Sequence, residues 1–534
     1  NLINYVEQIH LIANKLGDYI SLRQSTSTTD NETTALNQKL EELMSNISKE
    51  RAIAKKYIAN TSKLDEIIKK DIKVREYDFI FKEIKKEAEH TLNDDVEEVI
   101  AKMNLSAGSA WGSMHQYLTS ILDVDYEGKK ITLSEVRNLA YDSDANVRQA
   151  AYKAEIVSYE KINDSISFSL NNIKSQVNTL SNMRAYKSPL DMTLQKSRMK
   201  RETLDAMLTA IKDYLPRFHA YLRRKAEILG STSGLPWWDL FAPLAESNKM
   251  YTVEEAKEYL VLHFRPFSDD LADLVIEAFD NEWIDFFPRS GKVGGAFCSN
   301  LPYIKESRIL TNFNGSLSDV VTLAHELGHA YHGLHIQEHL PLNTDYSMPI
   351  AETASNFNET LIMNAAINEA KGNEKLALLE SQLQDTTQII CDIYSRFLFE
   401  SEVFEKRRKT FLFSDDLKEI MLNTQIEAYG DGLDHNYLHP YMWINKGHYY
   451  SESLSYYNFP YAFGGLFAKG LYAKYLKEGQ NFVPQYQALL KATTVNTVEE
   501  VAKMAGIDLS KPDFWRQSLQ TISGSINEFL KITK

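Results

Sequence analysis

The stretch "TLAHELGHAYHG", Thr322–Gly333, decides how the rest of this chain is interpreted. It contains the pattern His-Glu-x-x-His as His325, Glu326 and His329. At about 3.6 residues per helical turn, the two histidines lie one turn apart on one face. They can then bind one Zn²⁺, while Glu326, adjacent but rotated, can act as general base on a metal-activated water. The alternative is a helix whose polar residues face solvent.

A catalytic zinc needs a third protein ligand and an open coordination position, and two residues compete for the role of third ligand. Glu352 lies in "MPIAETASNFNET", where Pro349 can open a second helix that projects a carboxylate and completes a His₂Glu set. His335 lies ten residues after His325, the spacing of the third histidine in metzincins. That pattern has Gly at its seventh position, where this chain has His332, so Glu352 is favoured.

Other polar residues near the motif are expected to support the site. Glu359 lies two turns after Glu352 on the same helical face, so it can orient a ligating histidine through the other ring N–H. His332 and His339 are expected to be supporting or surface histidines. Either Ser316 or Ser318 can cap the start of the motif helix.

The segment before the motif helix predicts a small β-sheet. Between Gly291 and Phe313, "GKVGGAFCSN" is poor in helix formers, and "SRILTNFNG" contains the β-branched and aromatic run "RILTNF". Gly294 and Gly295, followed by Ala296, let the backbone approach a ligand closely, and an exposed edge strand there could pair with an extended peptide. The alternative is a structural bulge or a tight turn.

The rest of the chain predicts a mainly α-helical protein. Pro and Gly are few, and long stretches such as Leu36–Ile58 have helical periodicity. A short hairpin is predicted at Leu122–Leu133 around Glu127-Gly128. The 534 residues exceed what one core usually organises, and we expect an N-terminal helical domain over residues 1–130 and a catalytic domain over 140–534.

Composition bounds the partners. The formal net charge of −14 argues against a general nucleic-acid binder, because phosphates would meet no neutralising surface. No apolar run approaches the length of a membrane span, and the first residues do not form a signal-peptide pattern. The two cysteines, Cys298 and Cys391, are too widely spaced for a disulfide framework, which suggests a reducing cytoplasm.

The motifs taken together resemble the oligoendopeptidase F group of the thimet-oligopeptidase-like (M3) zinc metallopeptidases. The resemblance rests on "GKVGGAF", "TNFNGSLSDVVTLAHELGHAYHG" and "PIAETASNFNE", with weaker support from "LPWWDLFAPL" and "HYYSESLSYYNFPYAFGGLFAKGLY". It spans roughly Asp142 to the last residue. It implies a two-lobed helical gluzincin with a deep central channel, one Zn²⁺ per chain and short peptides as substrates. The oligomeric state stays open.

The resemblance also implies transition-state donors near residue 450. Peptide hydrolysis places negative charge on the carbonyl oxygen, and donors aimed at that oxygen lower the barrier. The segment "HYYSESLSYYNFPY" is rich in Tyr and His, which donate without strong charge. Carried over from the family, the best matches are His448, Tyr457 and Tyr461, although any single Tyr in this run can equally be packing.

Two rival functions remain at this point. A carboxypeptidase of similar fold would need a basic residue for the free C-terminal carboxylate, and Arg308 or Lys292 could serve. A peptide-binding or scaffold protein with a structural metal site is the second rival. The presence of Glu326 argues against it, since zinc binding alone does not need that residue.

Overall fold

The computed structural model describes residues 2–245 and 249–534, and most of them are helical, as predicted. The α-helices, in chain order, are α1 (Leu2–Thr26), α2 (Asn31–Asn46), α3 (Ser48–Ala59), α4 (Leu64–Lys70), α5 (Ile72–Glu76), α6 (Asp78–Ala88), α7 (Asp94–Asn104), α8 (Gly108–Ser120), α9 (Leu133–Asn138), α10 (Ala145–Tyr159), α11 (Asn163–Met183), α12 (Pro189–Lys196), α13 (Arg201–Ile228), α14 (Val253–Phe264), α15 (Asp269–Asp280), α16 (Leu317–Ile336), α17 (Met348–Ala351), α18 (Thr353–Glu369), α19 (Gly372–Thr387), α20 (Ile393–Arg407), α21 (Ser414–Tyr429), α22 (Met442–Asn445), α23 (Phe459–Glu478), α24 (Val483–Ala492), α25 (Val498–Met504) and α26 (Pro512–Ile532).

The strands are short and form two small sheets. They are β1 (Asp123–Tyr126), β2 (Lys129–Thr132), β3 (Ile284–Asp285), β4 (Phe297–Leu301) and β5 (Glu306–Leu310). Short 3-10 segments cover Leu139–Tyr141, Trp237–Asp239, Pro341–Asn343, Gly430–Gly432, His435–Tyr437, Gly447–Tyr450 and Gly479–Asn481, and a π-helical turn over Gln388–Asp392 joins α19 to α20. None of the described helices combines the length and the apolar character that crossing a bilayer requires.

The described residues form two compact units, each assembled from three segments. The first contains residues 2–91, 249–366 and 471–508, and the second contains 92–245, 367–470 and 509–534. The motif helix α16 belongs to the first unit, together with the N-terminal helices α1–α6. The predicted N-terminal domain over 1–130 and catalytic domain over 140–534 are continuous stretches of sequence, whereas each unit combines three segments. The predicted domain division is not tested by these units and stays a prediction.

In the first unit, α16 is buried on most of its circumference. Val320, Leu323, Ala324 and Leu327 are fully buried, and the helix packs against β4, β5 and α24. The sequence of α16 explains this position, because apolar residues occupy nearly every face of it and a helix of that kind lies inside a protein. The polar motif residues are therefore held on an element that has little freedom to move.

The hairpin and the small sheet that the sequence predicts are both present, and the sheet has three strands. Strands β1 and β2 pair antiparallel, and Glu127 and Gly128 both have positive φ, as a tight two-residue hairpin turn requires. The other sheet has the order β3-β5-β4, with β4 at its edge. The predicted sheet region begins too early in the sequence. The strand begins at Phe297, so Gly294, Gly295 and Ala296 lie in the loop that precedes it.

The single helix predicted over Leu36–Ile58 is instead two helices, α2 and α3, with a break at Ile47. The residues on either side of the break explain it. The Ser48 hydroxyl donates to the Ser45 carbonyl at 2.7 Å, and Asn and Ser side chains of this kind compete with helical backbone bonds. Hydrophobic periodicity does not report such local competition.

In the second unit, three buried ion pairs cross-link helices and loops. They are Arg148–Asp239, Lys174–Glu400 and Lys225–Glu380, each with its closest N–O distance between 2.6 and 2.7 Å. A buried ion pair offsets its desolvation cost only when further hydrogen bonds satisfy both partners. We therefore expect these pairs to fix the positions of the groups that they contact and to contribute less to the stability of the fold.

The structure distinguishes the two candidate caps of α16. The Ser316 hydroxyl accepts from the Asp319 N–H, while the Asp319 carboxylate accepts from the Ser316 N–H at 3.0 Å, which completes a capping box. We expect Ser316→Ala to lower the free energy of unfolding by about 1 kcal/mol, because the hydrogen bonds of the two backbone N–H groups in the capping box are weakened or lost. Urea unfolding would measure it. Ser318→Ala, at an exposed position in the first turn, is the control, and an equal loss there would contradict the assignment.

Candidate active site

The site is built where α16 and α18 cross, and Gly328 makes the crossing close. A Cβ at Gly328 would lie 2.5 Å from the Ser355 Cα and 2.6 Å from the Ala354 carbonyl oxygen. Both are backbone atoms, which cannot rotate away. The two spacer residues inside His-Glu-x-x-His are therefore not equivalent, since the second of them lets the other helix approach.

Glu352 lies at the junction between α17 and α18, directly opposite the two motif histidines. The helix that Pro349 opens is only one turn long, and a new helix begins at Thr353. The Ser355 hydroxyl donates to Glu352 Oε2 at 2.7 Å, which holds the carboxylate from within its own turn. The expected projection of Glu352 from a second packed segment is thus present, although the segment is kinked at the residue itself.

Three donor atoms converge at this crossing. Glu352 Oε2 lies 3.3 Å from His325 Nε2 and 3.4 Å from His329 Nε2, and all three donors lie within 4.8 Å of one another. Among the described residues, no other group of His, Cys, Asp and Glu side chains meets that condition. Ligands at 2.0–2.1 Å from a tetrahedral ion stand about 3.3–3.4 Å apart, so this donor set fits a zinc ion.

Glu359 lies behind His325. Its Oε2 is 3.3 Å from His325 Nδ1, the ring nitrogen that faces away from Glu352. A carboxylate in this position selects the ring tautomer that leaves Nε2 free to bind a cation. The sequence analysis named Glu359 for this role from its position two turns after Glu352.

Two carboxylates make the site strongly favourable for a cation. Burial alone would lower the pKa of His325, but hydrogen bonds with Glu352 and Glu359 raise it to about 10. Burial alone would raise the pKa of Glu352, but the two histidines and Ser355 hold it well below its usual range. The same carboxylates that favour a protonated imidazole also favour a bound divalent cation.

Glu326 is buried beside the donor cluster on the same helix, with 5% of its surface exposed. Burial raises the pKa of its carboxyl, although the neighbouring histidines oppose the shift. A carboxylate with a raised pKa accepts and returns a proton more readily near neutral pH. This environment suits a general base.

The strand β4 supports the motif helix through Asn300, which the sequence analysis did not identify. Asn300 Nδ2 donates to the His329 carbonyl at 3.1 Å, and its Oδ1 accepts from the Ser307 hydroxyl at 2.8 Å. A Cβ at Gly333 would lie 2.3 Å from Asn300 Oδ1, so this glycine makes room for the contact. In the sequence, the only indication of this contact is Gly333, a glycine within the motif helix.

Cys298, on the same strand, was considered in the sequence only for disulfide formation. Burial, with the nearby Glu326 carboxylate, raises the pKa of its thiol well above the usual value. The thiol is therefore protonated at neutral pH. It is not among the donors that converge on the site.

The remaining histidines of this region lie apart from the donor cluster. His332 Nε2 contacts the Thr493 hydroxyl at 2.8 Å and its ring stacks on Tyr346, while burial lowers its pKa to about 3. His335 packs edge-on against Tyr331 with ring centroids 4.5 Å apart. His339 contacts the Lys491 carbonyl. The metzincin-like alternative, with His335 as third ligand, has no support in this geometry.

In the second unit, His448, Tyr457 and Tyr461 form one aromatic cluster. The ring centroid of His448 lies 4.9 Å from that of Tyr457 and 5.9 Å from that of Tyr461, and the two tyrosines are 5.6 Å apart. Burial, with the cations Arg396 and Lys446, lowers the pKa of His448, which keeps the ring neutral.

The other tyrosines of the segment Tyr449–Tyr461 are core residues. Tyr449, Tyr450 and Tyr456 are each at most 5% exposed, whereas Tyr461 is 37% exposed. The structure thus separates the tyrosines that pack from those that reach the surface of their unit, a distinction that the sequence left open.

The glycine-rich loop before β4 is held from two sides. Asn312 Nδ2 donates to the carbonyls of Val293 and Gly295, and the Val293 N–H donates to the Ser25 carbonyl at the end of α1. Gly295 has a φ of 78°, which favours glycine. Gly294 and Gly295 are exposed and Ala296 is half-buried, and the three residues lead directly into the edge strand.

Two histidines and a glutamate on a buried helix, facing a carboxylate at the start of a second helix, are an arrangement typical of metallopeptidases of the His₂Glu class. Comparison with known proteins identifies the family. A model of peptidase family M3 matches residues 138–521, and a model described as oligopeptidase F matches residues 59–123. The chain belongs to peptidase family M3 and is a metalloendopeptidase.

Known relatives span nearly the whole chain. Oligopeptidase PepF of Bacillus subtilis is 25% identical over 96% of this chain and 77% of its own length. Group B oligopeptidase PepB of Streptococcus agalactiae is 26% identical over 83% of this chain and 74% of its own. A crystal structure of a protein from Chlamydophila abortus has the same fold with a TM-score of 0.88, at 21% identity over 99% of this chain and 90% of that one.

The helix crossing generates a first prediction for the site. We expect Gly328→Ala to push α18 away from α16, because the added methyl would meet backbone atoms. Overpacking of this kind costs about 1–3 kcal/mol of unfolding free energy, and displacement of Glu352 should weaken metal binding by about 10- to 100-fold. Calorimetry and metal titration would measure both. Gly17→Ala is the matched control, since it is helical and its nearest neighbour is a Leu40 methyl at 4.0 Å. Unchanged metal affinity in Gly328→Ala would contradict the role of the crossing.

The buried His335 generates a prediction about pH. Burial lowers its pKa from 6.5 to about 4, so below pH 6.5 the unfolded chain binds a proton that the folded chain does not. The contribution of His335 to stability is complete above that pH and is lost as the pH falls. Between pH 6 and 4.5, the unfolding free energy of the wild type should fall more steeply than that of His335→Gln, by about 1.4 kcal/mol per pH unit. Urea unfolding at several pH values would show parallel slopes if this were wrong.

Proposed function

We propose that this chain is a zinc-dependent oligoendopeptidase that hydrolyses internal bonds of short peptides. The observation that carries the proposal is the convergence of His325 and His329 on Glu352, whose Oε2 lies 3.3 and 3.4 Å from the two imidazole Nε2 atoms, with Glu326 buried beside them. A zinc ion held by these three residues supplies a Lewis acid that polarises the scissile carbonyl and activates water.

Glu326 acts as general base. Its carboxylate accepts a proton from the attacking water and delivers that proton to the leaving amine, so one group serves both halves of the reaction. The desolvated position of Glu326 brings its pKa upward, toward the range where both transfers proceed. Glu359 keeps the His325 ring in the orientation that cation binding requires, through the contact at Nδ1.

His448, Tyr457 and Tyr461 are proposed to donate hydrogen bonds to the oxyanion. Neutral imidazole and phenol groups donate without placing a full charge near the metal. The environment of His448 supports this, because neighbouring cations and burial keep it uncharged. The close packing of the three rings means that they would act as one preorganised group.

Substrate selection is proposed to rest on backbone pairing. Gly294, Gly295 and Ala296 lead into the edge strand β4, and an extended peptide can pair with such an edge through main-chain hydrogen bonds alone. Recognition of this kind tolerates many side chains, as a peptide-degrading enzyme of the cytoplasm would need. The names of the two relatives described above, Oligopeptidase PepF and Group B oligopeptidase PepB, support short peptides as the substrate class.

The carboxypeptidase alternative loses its two candidate residues. The Lys292 ammonium is fully buried against Asp285 and the carbonyl of Phe287, and Arg308 is engaged by Glu306 and by the Ser307 carbonyl. Neither cation is held ready for a free carboxylate. Cleavage of peptides blocked at both ends would separate the two functions directly.

Three substitutions test the proposed function. Glu326→Gln should retain one zinc per chain and lose turnover of a doubly blocked fluorogenic peptide by about 10²-fold or more. Glu352→Ala should lose both zinc and turnover, because two imidazoles alone bind the ion weakly. His335→Ala should retain both. Elemental analysis and initial rates measure the outcomes.

Each contrary result has a distinct meaning. Loss of zinc in His335→Ala would overturn the assignment of Glu352 as third ligand. Stoichiometric zinc in the wild type without cleavage of any blocked peptide would favour a binding protein over an enzyme. Cleavage that requires a free C-terminus would favour the carboxypeptidase.

A further inference from the structure

The second unit contains a fully buried ion pair that the proposed chemistry does not use. Lys174 on α11 and Glu400 on α20 are 2.6 Å apart, and each side chain is only 1% exposed. Desolvating two charges costs several kcal/mol per ion before their attraction is counted, so a pair of this kind is useful only for the geometry that it enforces. The question is what Glu400 holds.

Glu400 contacts the residues on both sides of Tyr457, the backbone of Tyr456 and the side chain of Asn458. Its Oε1, besides accepting from Lys174, accepts from the Tyr456 N–H at 3.1 Å, and its Oε2 accepts from Asn458 Nδ2 at 3.1 Å. Every acceptor contact of the buried carboxylate other than the ion pair therefore goes to the immediate neighbours of one proposed oxyanion donor.

The segment needs such an anchor because its backbone is strained. Tyr456 has a φ of 56°, a left-handed conformation that bulky residues rarely adopt and that persists only when the surroundings impose it. Its ring packs against Phe397 and Phe404 with centroids 5.5 Å away in each case. Packing fixes the ring, and Glu400 fixes the amide whose orientation the strain would otherwise change.

Asn458 extends the same anchor to Tyr461. Its Oδ1 accepts from the Phe459 N–H at 2.7 Å where α23 begins, and its carbonyl accepts from the Tyr461 N–H at 3.0 Å. The side chain of Asn458 is thus shared between Glu400 and the first turn of the helix that carries Tyr461. One carboxylate consequently governs the register of both tyrosines.

We propose that Glu400, neutralised by Lys174, is a positioning residue that fixes Tyr457 and Tyr461 against His448. The inference rests on the proposed function, in which those rings donate to the oxyanion. Glu400 touches neither substrate nor metal in this scheme, and its effect on the reaction passes through the Tyr456 N–H and the Asn458 side chain.

The same unit supplies a matched control. Lys225 and Glu380 form a second buried pair at 2.6 Å, with side chains 0% and 5% exposed. Glu380 accepts from Tyr221 and Gln384, and Lys225 also donates to the Leu240 carbonyl. These contacts hold α13, α19 and a loop, and none of them reaches the tyrosine segment. The two pairs match in chemistry and burial but differ in what they hold.

The test replaces each pair by methionines. The double variant Lys174→Met/Glu400→Met removes both charges at once and fills their volume with apolar groups, a change that buried ion pairs often tolerate. We expect kcat to fall by about 10- to 100-fold, with KM within about threefold and zinc content unchanged, because a misplacement of about 1 Å costs that much. Lys225→Met/Glu380→Met should keep kcat within about twofold of the wild type.

Two further variants show that position, and not general stability, is measured. Lys174→Met/Glu400→Gln keeps one acceptor for the Tyr456 N–H and should retain more of kcat than the double methionine variant. Asn458→Ser keeps an oxygen that can cap α23 but loses the contact with Glu400, so kcat should fall several-fold. The serine variant also carries the test if the methionine pair fails to fold, since it leaves both charges paired.

The outcomes separate this inference from the proposed function. Tyr457→Phe and Tyr461→Phe are assayed alongside. If either loses kcat while Lys174→Met/Glu400→Met or, where that fails to fold, Asn458→Ser behaves as the Lys225–Glu380 control, the positioning role is overturned and the donor role stands. If both phenylalanine variants keep full kcat, the donor role fails, and the catalytic role of Glu400 fails with it. Equal losses in kcat for the two methionine pairs would also overturn the inference.

Discussion

The close approach of α16 and α18 at Gly328 is the constraint on which the site depends. A metal centre of this type needs donors from two elements within a few ångströms of one another, and packed helix axes usually lie about 8–10 Å apart, so close packing brings the donors together. One missing side chain makes that possible, and Gly333 repeats the device against Asn300 on the other side of the helix. The motif is therefore as much a packing pattern as a set of chemical groups.

The two units hold their functional side chains by the same physical means. On α16, the Glu359 carboxylate contacts His325 Nδ1, and the Asn300 side-chain amide donates to the His329 carbonyl. In the second unit the anchor is the buried Glu400 carboxylate, which holds the backbone around Tyr457. In both places the anchors take no part in the proposed chemistry: Glu400 is fully buried, and Glu359 and Asn300 are half-buried.

Sequence patterns predict what is local in this protein. The spacing of His325 and His329, the placement of Glu352 and Glu359 and the hairpin at Glu127-Gly128 all follow from periods of one or two helical turns or from turn chemistry. Four features did not follow. Burial decides which tyrosines of the segment Tyr449–Tyr461 pack in the core, and the local pattern does not show it. The role of Glu400 depends on a contact with a residue 56 positions away, and that of Asn300 on a helix 29 positions away. Hydrophobic period also missed the break at Ile47, because it does not record competition by Ser and Asn.

The segments that complete the first unit are far apart along the chain, and this bears on when activity can arise during synthesis. The His332 ring, one turn beyond the motif, finds its partner at Thr493, 161 residues later, and α16 packs against α24. Domains form as their last segment leaves the ribosome, and long-range closure is the slow step. A nascent chain whose His-Glu-x-x-His motif has already left the ribosome therefore still lacks α24, against which the motif helix packs. The site can therefore assemble only after the chain has been synthesised through α24.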